Sequence, residues 1–160
     1  MSLSWIAVTA QTQPIAHRST APPGTLEVGI AAFGAVYVGL ALFMAAAPHA
    51  FYTVIGPFET LNVHYIRDAA TFNAAIGVGL LVAVRRPSWQ VPALAISTLQ
   101  FALHSINHLV DIDRAHPAWV GYFDFFSLAV ATLGLAWLLQ VALAEEGTAD
   151  TVHRPEGAPQ

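Results

Sequence analysis

Residues 28–47 run for 20 positions without a charged side chain. As a helix rising about 1.5 Å per residue, such a run matches the roughly 30 Å hydrocarbon core of a bilayer. In lipid the backbone must satisfy its own hydrogen bonds, which a single helix does and an isolated strand does not. Glu27 suits the first turn, where a carboxylate meets the positive end of the helix dipole, and Thr25 is the expected cap. Pro48 closes the run.

Three further segments resemble the first. The spacing of breakers predicts helices over 26–47, 63–84, 89–110 and 118–144, joined by short loops. Arg85, Arg86 and Pro87 stop the second, and Trp89 opens the third at interface level. Residues 49–62 are apolar and aromatic but too short to cross, so an interfacial or re-entrant segment is expected there. Composition agrees. The chain is 56% hydrophobic and 10% charged, with mean hydropathy +0.57, whereas soluble domains are about a quarter charged. The expected class is all-α: a polytopic membrane protein, with four transmembrane helices in an antiparallel bundle. Residues 1–24 and 145–160 read as disordered polar tails, with Trp5 and Ile6 able to touch the membrane surface.

Several chemistries are excluded. The net charge is −4 and the six cations are scattered arginines, which gives no nucleic-acid signal. With no cysteine, thiolate metal sites, iron–sulfur clusters and thiol catalysis are ruled out. Neither a signal peptide nor a lipidation motif is read at the N-terminus. There is no GxSxG motif, and Ser105 beside His104 would point away from it on a helix.

Arg18, Arg85 and Arg86 fall on one side of this layout. The excess of arginine there predicts that both termini and the Arg85–Arg86 turn are cytoplasmic, in a cell inner membrane.

Against this apolar background, residues 100–114 (QFALHSINHLVDIDR) stand out. His104 and His108 are four apart and share a helix face. Asn107 and Asp111 lie alongside, and polar groups at membrane depth usually face a partner or a cavity. Depth counting puts His104 roughly 10 Å below the end of its helix and Asp124 roughly 9 Å below the start of the next. His64, Arg67 and Asp68 open the second helix at the same end, and Tyr122 opens the fourth. The candidate ligand set is therefore His104, His108, Asp124, His64, Asp68 and Asp111, supported by Asn107, Arg67 and Tyr122.

Four roles compete for these residues. A His104–Asp124 pair alone would be an interhelical bond of about 0.6 kcal/mol, giving a membrane scaffold or interaction protein. His104 and His108, with His64, Asp68 and a carboxylate, would suit Zn, Fe, Mn or Cu, and a metal-dependent membrane enzyme. A quinone or a lipid headgroup would use the histidines with nearby aromatics. Haem is disfavoured, because His104 and His108 share one face and cannot flank one macrocycle. Arg67 would pair with Asp124 or Asp111, or snorkel to the headgroups. Beyond the bilayer, the partner would be another membrane protein or a second copy.

The size, four helices and short loops over roughly residues 25–144 resemble the small bacterial DoxX-like membrane proteins. That resemblance implies a redox-associated or accessory role, and no residue is carried over from it. The expectation is a small membrane protein that binds a metal ion, quinone or lipid in a His/Asp-lined pocket near the outer face.

Overall fold

The computed structural model describes residues 24–152, the last five by their backbone alone. Most of the two predicted tails, with Trp5 and Ile6, lies outside these residues. The described chain is helical, with no strand beyond one isolated bridge. Its elements are α1 (Thr25–Ala46), α2 (Pro48–Val54), α3 (Val63–Ala83), a 3-10 turn (Pro87–Trp89), α4 (Gln90–Val110) and α5 (Trp119–Val152).

Caps explain most boundaries. Gly24, not Thr25, is the N-cap of α1, and no side chain caps that end. Glu27 folds back over it, with Oε2 lying 3.0 Å from where a Cβ on Gly24 would sit. Pro48 stops α1 and opens α2, as a residue lacking an N–H can do at a first turn. The cap of α3 is Asn62, whose side chain accepts a hydrogen bond from the Tyr65 N–H at 3.1 Å. At the other end of the chain, α5 runs on to Val152, so residues 145–152 are helical where a disordered polar tail is expected. Ala144, Glu145 and Glu146 are good helix formers and simply extend it.

Three of the four long helices are long and apolar enough to cross a membrane: Thr25–Ala46, Val63–Ala83 and Trp119–Gly147. The fourth, α4, has the length, at 21 residues, but not the composition. Its polar side chains account for the difference. Ser97 and Thr98 donate to the carbonyls of Ala93 and Leu94, four residues back, and so need no outside partner. Outward faces are apolar: Val36, Phe72, Val130 and Leu133 are 67–71% exposed, as suits lipid contact.

The long helices pack as two close pairs, α1 on α3 and α4 on α5. Small residues let backbones approach within the first pair: a Cβ on Gly77 would sit 2.9 Å from the Val38 nitrogen. A Cβ on Gly121 would meet the Ile112 carbonyl oxygen at 2.0 Å, so only glycine fits where α5 starts past the end of α4.

Two ends result. At the arginine end, marked by Arg85 and Arg86, one core draws on all four long helices through Leu26, Ile30, Leu80, Leu94, Leu135 and Leu138. At the loop end, the buried cluster of Met44, Ile66 and Ala70 belongs to α1 and α3 alone, with Phe51, Tyr52 and Leu61 against it.

Candidate functional site

At the loop end, the segments after α2 and after α4 are tied together. Phe58 and Ala115 form the antiparallel bridge, and the His116 N–H donates to the Pro57 carbonyl at 3.1 Å. Arg114 pairs with Glu59 across the two segments and, through Nε at 3.2 Å, with Asp111 on its own. Glu59 is held in the left-handed region at φ 50°, a conformation that disfavours a side chain. Its carbonyl accepts from the Tyr52 hydroxyl at 2.6 Å, which fixes the loop from below. Tyr122 donates to Asp113 at 3.2 Å.

Beneath this clasp lies the polar face of α4. His104 and His108 pack edge to face with ring centroids 4.7 Å apart. Phe58 closes on His108 from the loop, edge to face at 5.0 Å. The Nδ1 of His108 is sealed from solvent and has no hydrogen-bond partner among the described residues, while the His108 side chain as a whole is half-buried and His104 is exposed. One turn further toward the arginine end, the buried Tyr37 of α1 donates to Gln100 Oε1 at 2.8 Å and packs against Phe101. Gln100, His104, His108 and Asp111 thus form a stripe down α4, from the middle of the fold to the clasp.

The other expected members do not join it. Ser105 lies 3.3 Å from Thr132, which sets the register of α4 on α5. Asp124 is eight residues before Thr132, or about 12 Å along the helix, so it is not level with His104. The depth count erred because α5 starts beyond the end of α4, where Gly121 meets Ile112. Asp124 is half-buried, and among the described residues it makes neither an ion pair nor a hydrogen bond.

His64 and Asp68 pair only with each other, at 3.4 Å, with side chains 86% and 58% exposed. Ile66 and Ala70 carry the buried face of α3 there. His64 and Asp68 are two residues out of step with them, about 200° round the helix, and point outward. Arg67 and Asn107 are exposed, and Asp111 takes Arg114 rather than Arg67 as its cation. Among the described residues, no three His, Asp or Glu side chains gather as a metal centre would require.

Two features of the site were missed in the sequence. Tyr37 stands in the middle of an uncharged run and reads as one more aromatic. Its signal is Gln100, four residues before His104 on the same face, which predicts a buried partner on a neighbouring helix. The Glu59–Arg114 pair spans 55 positions and has no local sequence signature. No protein-family model, curated protein or solved structure matches the chain.

Proposed function

We propose that the protein is a four-helix integral membrane protein that binds the headgroup of a quinone at His104 and His108, in a redox-accessory role. The observation that carries this is His108: one sealed ring nitrogen without a partner, on a ring gripped between Phe58 and His104. A buried polar atom left unpaired costs about 1–3 kcal/mol, so the site gains when Phe58 swings aside and a ligand oxygen reaches Nδ1.

Quinone chemistry fits these residues. Its carbonyl oxygens accept hydrogen bonds from imidazole N–H groups, its flat ring packs on an aromatic such as Phe58, and its tail stays in lipid. A metal would need at least one more ligand beside the two histidines. A phosphate headgroup would seek cations, and Arg114 is already paired with Glu59 and Asp111.

On this reading α4 crosses the membrane with α1, α3 and α5. It has the same 21-residue length as α3 and joins the arginine turn to the opposite end. The arginine excess favours a cytoplasmic turn and cytoplasmic termini, which on this reading opens the site in the outer half of an inner membrane. A redox association is what the architectural resemblance to DoxX-like proteins implies.

The test is titration of the purified protein with decylubiquinone. Saturable binding is expected, weakened roughly tenfold in His108→Leu for the loss of one hydrogen bond. His108→Asn, which keeps a donor, should restore part of it. No saturable binding, or wild-type affinity in both His104→Leu and His108→Leu, would overturn the proposal.

A further inference from the structure

The second open feature lies at the other end. Where α3 and α4 leave the arginine turn, they part to form a groove of about 430 Å³. Its walls are Ala75, Ile76 and Gly79 of α3 against Pro92, Ala93, Ile96 and Ser97 of α4. All but Ser97 are apolar, the Ser97 hydroxyl is spent on the Ala93 carbonyl, and a Cβ added to Gly79 would meet nothing within 4 Å. Ser88 and Trp89 stand at the mouth, directly after Arg85 and Arg86.

We infer that this groove seats an acyl chain of an anionic phospholipid, whose phosphate is held by Arg85 and Arg86. The walls supply an apolar slot of the kind a hydrocarbon chain fills. The mouth offers a headgroup the donors of Ser88 and Trp89, and Arg85 and Arg86 precede Ser88 by three and two residues in the turn. Both arginines are exposed, and neither makes an ion pair among the described residues. Basic sites between membrane helices select anionic headgroups by this combination. A second copy of the chain, packed here in the same membrane orientation, would bring four arginines together, and like charges oppose that contact. The inference rests on α3 and α4 lying in a membrane and is independent of the quinone site.

Native mass spectrometry of the full chain would test it. The protein is reconstituted in vesicles of equal parts dioleoyl phosphatidylglycerol and dioleoyl phosphatidylcholine, then extracted. One phosphatidylglycerol should be retained over phosphatidylcholine by roughly tenfold, in keeping with two nearby arginines. The double variant Arg85→Gln/Arg86→Gln should bring the two lipids to parity without loss of helicity. Gly79→Leu fills the slot and should remove the retained lipid. Parity in the wild type overturns the inference, as does undiminished retention in Gly79→Leu, or a dimer that Gly79→Leu dissolves. Decylubiquinone titration of the same variants should be unchanged, which separates the fate of this site from that of the other.

Discussion

The arginine end and the loop end are held together by different means. At the arginine end, side chains from four helices share one apolar core, and Ile30, Leu80, Leu94 and Leu135 are fully buried in it. At the loop end, the helix pairs have no common apolar cluster among the described residues, and the joints are mostly polar: a backbone bridge, the His116 N–H on the Pro57 carbonyl and the Arg114–Glu59 pair, with the Phe58 ring on His108. Apolar contact is indifferent to orientation, whereas a hydrogen bond fixes an atom against an atom. The first end therefore supplies adhesion. The second positions the few groups that can do chemistry.

The sharpest way to break this contrast is at the loop end's tightest approach. Gly121→Val would drive a side chain into the Ile112 carbonyl, and we expect no monodisperse protein on size exclusion. Leu135→Ala comes next: an emptied site in the shared core should cost about 2–5 kcal/mol in reversible unfolding. His104→Leu and His108→Leu, at the other end, should not lower stability, and His108→Leu should raise it where it removes the unpaired nitrogen. A loss comparable to Leu135→Ala would make the polar stripe a structural element.

The glycines sharpen the same point within one helix. Gly77→Ala should cost about 1–3 kcal/mol, because its Cβ would press on Tyr37 and Val38. Gly79→Ala, two residues on, should be neutral or stabilise by up to about 1 kcal/mol, the usual helix gain. Tyr37→Phe, which deletes the bond to Gln100, should cost about 0.6 kcal/mol, the average for hydrogen bonds between membrane helices. Arg114→Gln should also be small. An exposed ion pair contributes about 0–1 kcal/mol, and the effect should fade in high salt.

How far these ends could be foreseen depends on the range of the signals. Helix bounds other than the end of α5 were legible to within a few residues, because Pro48, Arg85–Arg86–Pro87 and the acidic loop after Val110 are local marks, whereas nothing after Ala144 marks a stop. The shared face of His104 and His108 was legible for the same reason, since four-residue spacing fixes it. The partners were not. Placing Asp124 beside His104 assumed that α4 ends level with the start of α5, and the overlap at Gly121 breaks that assumption. Placing His64 and Asp68 in the same cluster required knowing which face of α3 is buried. Ile66 and Ala70 decide that only through contacts with α1 and α2. Local spacing fixes a side chain's direction on its own helix, while the identity of its neighbour depends on how a second helix is rotated and shifted.

At His116 the joint between the two loops is made by the main chain. The residue contributes its N–H to the clasp, received by the carbonyl of Pro57, and its imidazole is exposed. Replacing it with alanine, glutamine or serine leaves that bond in place, so a mutational scan would score the position as dispensable. Only His116→Pro removes the donor. The loop end can therefore drift freely in side chains at this position while keeping its shape, and tolerance to substitution there would be a poor guide to how much the residue holds.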